Sequence, residues 1–263
     1  MTKVQIAALR REAHAGDAVA QNDLGGLYFS GQGVPQNPAK AIAWFRKAAD
    51  QGYAHAQMNL GFSYSEWEGV PQDYAQAVAW YRKAAEQGHA FAQFFLGVMY
   101  RNGRGVPQDY GQAVAWYRKA AEQGQANAQS NLGVAYHNGE GVPQDYAQAA
   151  AWFRKAAEQG NDCAQFCLGV AYYLGDGVPK DHVEAVKWYL KAAEQGNDDA
   201  QFSLAVAYYA GDGVQEDHTA AWAWLANAAE QGNVEALSFL AKRKDEWSAE
   251  EECEDEEDTE TIH

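Results

Sequence analysis

The chain has 263 residues, with 36 acidic against 20 basic side chains and a formal charge of −16; such an excess repels phosphate and excludes a general nucleic-acid or anionic-membrane binder. No apolar stretch approaches the roughly 18 residues of a membrane-crossing helix, and three cysteines, Cys163, Cys167 and Cys253, are too few and odd in number for a disulfide framework. The N-terminal residues carry scattered charges in place of a basic start and an apolar run, so the expectation is a cytoplasmic protein without an export signal.

Written in rows of 36, the chain aligns without gaps: Ala20, Ala56, Ala92, Ala128, Ala164 and Ala200 share a column, as do Trp44, Trp80, Trp116, Trp152, Trp188 and Trp224. Repetition at this interval outranks length as a guide to architecture. Residues 3–16 align with the second half of a unit and are expected to form an N-terminal capping helix. Residues 17–232 hold six full units, 233–247 a C-terminal capping helix, and 248–263 a disordered acidic tail with nine acids between Glu250 and Glu260.

Each unit predicts two helices. In the third, Ala92, Leu96, Gly97 and Tyr100 recur at intervals of about four and mark one helical face. Ala113, Trp116, Tyr117, Ala120 and Ala121 then follow the spacing of a wide apolar stripe. Between them Gly103 is placed to end the first helix in a left-handed conformation, and Gly105-Val106-Pro107 forms a turn. Asp109 with Gln112 reads as a capping box opening the second helix, repeated at Asp73/Gln76 and Asp145/Gln148. A lone hairpin cannot bury its own apolar faces, whereas stacked hairpins can. The fold expected is therefore all-α, a superhelical solenoid of helical hairpins.

The pattern A-Q-x-x-L-G-x-x-Y, then G-x-G-V-P-Q-D, then A-x-A-x-x-W-[YF]-R-K-A-A-E-Q-G resembles the Sel-one-like repeat family, relatives of the tetratricopeptide repeats, over roughly residues 3–245. The resemblance implies a right-handed superhelix that acts as a non-catalytic adaptor or scaffold for a protein or peptide in its concave groove. Bacterial members of the family include immunity proteins against toxins, so an adaptor holding a basic toxin or effector is the alternative. The acidic tail reads as a solubilising segment or as a lure for a basic partner.

Some family members have been described as β-lactamases, which keeps an undetected hydrolase as a second alternative. No serine here is followed by lysine three residues later, and none sits in a nucleophile elbow. The Gly-x-Gly segments lie between helices and lack a following Gly-Lys-Ser/Thr, so they read as turns. The seven histidines form no ligand motif, and Cys163 with Cys167 supply only two adjacent thiols. No cofactor or metal is expected. Arg82, Arg118 and Arg154 each precede a glutamate, Glu86, Glu122 or Glu158, by four residues, which predicts self-neutralised ion pairs.

Partner contacts are expected where the units differ. On the first helices the face opposite the constant residues carries Val19/Asp23, His55/Asn59, Phe91/Phe95, Asn127/Asn131, Cys163/Cys167 and Asp199/Ser203. Phe91 and Phe95 read as binding anchors, with His55, Asn59, Asn127 and Asn131 as a polar rim. The competing reading tucks both rings against neighbouring helices. Trp67 stands where other units have the capping glycine, as a rebuilt cap or a further contact. The sixth unit departs from the pattern at Ala205 and Gln215, read as relaxation near an end.

Overall fold

The structure, a computed structural model, describes residues 1–67 and 69–242. Every secondary-structure element among the described residues is helical. Met1–Asp145 and the described residues from Tyr146 onward form two compact units, each built the same way.

The first unit opens with α1 (Lys3–Ala15) and continues through α2 (Ala18–Ser30), α3 (Pro38–Asp50), α4 (Ala54–Glu66), α5 (Tyr74–Glu86), α6 (Ala90–Asn102), α7 (Tyr110–Glu122) and α8 (Ala126–Asn138). The second holds α9 (Tyr146–Glu158), α10 (Asp162–Leu174), α11 (His182–Glu194), α12 (Asp198–Ala210) and α13 (His218–Glu230). Residues 234–242 are helical as well. The acid-rich segment and the end of the expected C-terminal helix lie outside the described residues.

Helix lengths follow from local chemistry. Asp73 and Asp109 each accept the backbone N–H three residues on, at Gln76 and Gln112, which satisfies one of the donors left over at a helix start. The reciprocal half of the expected capping box is not made at Asp73: the Gln76 amide donates to the other Asp73 carboxylate oxygen at 2.9 Å. The full box is made at Thr2 and Gln5, opening α1. Asp73 is left with two hydrogen bonds to its ionised form, and these hold its carboxyl below the usual carboxylate range. At the other end of α6, Gly103 adopts φ 65° and returns its N–H to the Met99 carbonyl. The hairpin closes where the Asp109 N–H donates to the Tyr100 carbonyl at 2.9 Å, and the same bond recurs at Asp73, Asp181 and Asp217.

Packing within a hairpin turns on one close approach. A Cβ added to Gly97 would lie 2.6 Å from the Tyr117 ring, so the aromatic of the second helix seats directly on the backbone of the first. Tyr117 and Leu96 are buried by this arrangement. Its sixth-repeat counterpart is Ala205 against Leu225, both buried in one cluster. The methyl added at Ala205 is accompanied by a smaller partner, Leu225, where the third repeat has Tyr117.

Candidate partner-binding surface

Stacking leaves one face of each first helix uncovered. Phe91 is 53% exposed, and its ring neighbour is His89, with centroids 6.4 Å apart. His89 in turn packs edge-on to His55 at 4.7 Å, and His55 stacks on Tyr53 at 5.3 Å. Four rings from consecutive repeats thus line the edge where second helices pass into first helices. His89 Nδ1 accepts the Ala92 N–H at 3.3 Å, capping α6. Partial burial, then the neighbouring His55, hold its pKa below the usual imidazole value.

Phe95 sits differently from Phe91. It is half-buried and stacks nearly parallel on the buried Tyr81 at 5.3 Å, with Phe62 at 6.2 Å and Phe94 at 5.2 Å around it. Tyr81 is fixed from the other side by Ser65 Oγ, 2.9 Å from its hydroxyl. Asn59 donates to Asn22 at 2.8 Å, tying two repeats together, and Asn131 faces the hydroxyl of Tyr117. Asn127 is exposed and also has a partner. Trp67 is half-buried: its ring lies 4.3 Å from Phe29 and packs on the cluster around Phe45 and Leu60. It ends α4 with extended backbone in place of a left-handed residue.

Among the described residues the ion pairs expected of Arg82, Arg118 and Arg154 with the glutamates four residues on are not found. Arg82 and Arg118 donate instead to the hydroxyls of Tyr100 and Tyr136, both at 2.9 Å, and Arg154 to Tyr172 at 2.6 Å. The paired glutamates lie on the same helix, but the tyrosine of the next first helix offers a fixed acceptor that costs no second flexible side chain. Lys83 and Lys119 cover the faces of Trp80 and Trp116 at 4.0 Å, a cation–π contact made by each repeat's lysine and tryptophan from α3 through α11.

In the second unit the uncovered faces of α10 and α12 form an apolar groove. A cavity of about 290 Å³ is lined by Tyr173, Leu174, Tyr189, Ser203, Val206 and Asp212, among others. It adjoins a smaller one of about 60 Å³ lined by Phe202, Val206, Tyr209, Trp222 and Phe239. Leu174 and Val206 are exposed, at 55% and 41%. Leu174 and Val206 lie past the first two turns of α10 and α12, beyond the positions expected from the sequence to contact a partner. The signal was present: Cys163, Cys167, Val170 and Leu174 follow i, i+4, i+7, i+11 along one face. At the end of the groove His182 Nδ1 donates to the Asp212 carboxylate, and the His182 ring stacks on Tyr173 at 4.8 Å.

Two other groups bear on chemistry. Cys167 has its thiol pushed up to about 12, first by burial and then by Cys163 and Asp199, which disfavours the nucleophilic thiolate. Burial, together with Asp198 and Glu235, raises Asp199 above the usual carboxylate range, while Asn233 donates to it at 3.1 Å.

Hairpins of paired helices in a 36-residue register, with neighbouring repeats inside each unit keyed together by the same side chains, define a helical-repeat protein. The description Sel1 repeat matches residues 18–53, 54–89, 90–125, 126–161, 164–197 and 198–233, and the chain belongs to that family. Among solved structures it is similar to c5321, a protective antigen present in uropathogenic Escherichia coli strains, at 45% identity and a TM-score of 0.82 over 88% of this chain and 50% of that one. A Sel1 repeat protein from Oxalobacter formigenes is 42% identical, with a TM-score of 0.80, over 89% of this chain and 68% of that one. The chain thus spans half the length of the E. coli antigen. No curated protein matches it. No helix among the described residues is long and apolar enough to cross a membrane.

Proposed function

We propose that the protein is a non-catalytic scaffold that holds a protein or peptide partner on the uncovered face of its first helices. Sel1 repeat proteins are generally protein-interaction scaffolds. The observation that carries the reading here is Phe91, a large ring more than half exposed at the centre of a row whose other positions vary from repeat to repeat. An aromatic anchor in a row to which the neighbouring repeats contribute His55, Asn59, Asn127 and Asn131 has the composition of a binding hot spot and its rim.

The test is capture of the native partner from the source organism by the full chain and by Phe91→Ala, with captured proteins identified by mass spectrometry. The scaffold reading requires a protein recovered by the full chain, and Phe91 as its anchor requires that the substitution weaken capture at least tenfold with melting unchanged. Turnover in a broad hydrolase panel, or capture indifferent to every uncovered face, overturns it.

A further inference from the structure

We infer that the groove along α10 and α12 is a docking site for a basic-apolar peptide segment of a protein partner, with an apolar side chain in the cavity and a Lys or Arg on Asp212. This rests on the scaffold reading and names the chemistry of the partner. Three independent observations converge on it.

The first is shape. The larger cavity is lined mainly by apolar side chains of α10, α11 and α12, with Ser203 and Asp212 among its polar members, and has room for a large side chain, while the adjoining smaller one continues the groove into the next repeat through Phe202 and Val206. A chain lying across both places alternate anchors in successive repeats.

The second is the orientation of Asp212. An acceptor-only carboxylate requires that His182 Nδ1 carry the proton it shares, so the imidazole holds one carboxylate oxygen and leaves the other available. Tyr173 stacked on the ring fixes the imidazole in turn. A carboxylate set by its neighbours at the rim of an apolar cavity is suited to a guanidinium or ammonium group.

The third is charge. Residues 1–145 carry 12 acids and 12 bases, whereas residues 146–242 carry 13 acids and 6 bases. The negative charge of the described chain is thus concentrated in the unit that holds the groove. Asp199 lies one helical turn before Ser203, a cavity-lining residue, and shares its surroundings with Asp198 and Glu235. Asp212 stands at the other end. The base on this rim, Lys180, lies over the Tyr173 ring at 5.8 Å. Such a field favours a cationic ligand and disfavours an acidic one.

The experiment selects phage-displayed random peptides on the full chain and titrates a synthetic representative by fluorescence anisotropy. Expected is enrichment of sequences that place Lys or Arg beside a large apolar residue. Val206→Glu and Asp212→Asn should each weaken binding about tenfold, and the Asp212→Asn loss should shrink at high salt. Both positions are solvent-accessible and Asn keeps an acceptor for His182, so circular dichroism should match the parent; Leu174→Glu is the second blocking variant. Enrichment without basic residues, no enrichment, or binding indifferent to Val206→Glu and Leu174→Glu overturns the site. Peptides lost in Phe91→Ala but retained by Val206→Glu overturn the groove and leave the scaffold reading standing. Failure of both this selection and the native capture removes both.

Discussion

Gln123 Nε2 donates to Gln93 Oε1 at 2.7 Å, and Gln93 Nε2 donates to the Ala85 carbonyl at 3.1 Å. Two columns of the sequence, the glutamine after the invariant alanine and the glutamine before the closing glycine, therefore form one relay 30 residues apart. The buried member satisfies a carbonyl at the end of one second helix and is oriented by the end of the next. Gln21 with Gln51, Gln57 with Gln87, Gln165 with Gln195 and Gln201 with Gln231 repeat it. The relay sets the register of stacking, because a buried amide is satisfied only when successive repeats stand one unit apart.

Replacing Gln93 by Leu should cost about 2 kcal/mol in urea unfolding, since the Ala85 carbonyl loses its side-chain donor and the Gln123 amide its acceptor. Gln123→Ala should cost less than about 1 kcal/mol, because Gln123 is exposed and water replaces it. Equal costs for the two would show that the relay is not what the buried amide is there for.

Gly97→Ala places a methyl 2.6 Å from the Tyr117 ring and 3.2 Å from the Ala113 carbonyl. Overpacking of this kind costs about 1–3 kcal/mol. The exchange already present at Ala205 and Leu225 predicts that Tyr117→Leu relieves part of the loss. A double-mutant cycle should return a favourable coupling of more than about 0.5 kcal/mol; simple additivity would mean that the ring is not the obstacle.

The repeat, the helix pairs and the glycine caps were legible because periodicity and turn chemistry act locally and recur from unit to unit, the cap in five of the six. What the glutamine, arginine and lysine columns do was not legible, since each reaches a group in another helix. The i+4 glutamate expected for Arg118 loses to Tyr136, which lies 18 residues away and enters only through stacking. Of the candidate anchors, Phe91 and Phe95 looked equivalent at a spacing of four. Their difference arises from Tyr81 of the preceding second helix, which covers one ring and not the other.

His89 predicts an acid-sensitive step. Its folded pKa lies below the ordinary value of 6.5, so the unfolded chain binds the proton more readily. Stability contributed by the neutral form is complete above pH 6.5 and is lost as pH falls through the folded pKa, when Nδ1 takes a proton and can no longer accept the Ala92 N–H. His89→Asn keeps a capping acceptor without a titrating ring. Melting followed from pH 7.5 to 5 should fall more steeply for the parent than for the variant. Parallel curves would show that this imidazole does not govern the loss.

Phe91 and Phe95 give opposite readouts when truncated separately. Phe95 is wedged among Tyr81, Phe62 and Phe94, so Phe95→Ala opens a void beside a buried ring and should cost about 2–4 kcal/mol in folding. Phe91 contributes little to the fold because more than half of its surface already faces water. Phe91→Ala should leave melting within about 0.5 kcal/mol of the parent while weakening partner capture by about 2 kcal/mol. The two measurements separate a packed ring from a presented one. A large melting loss in Phe91→Ala would place that ring in the core of its repeat. Undiminished capture in the same variant would move the partner away from the centre of this row, toward the groove of the second unit, where Val206→Glu becomes the decisive substitution.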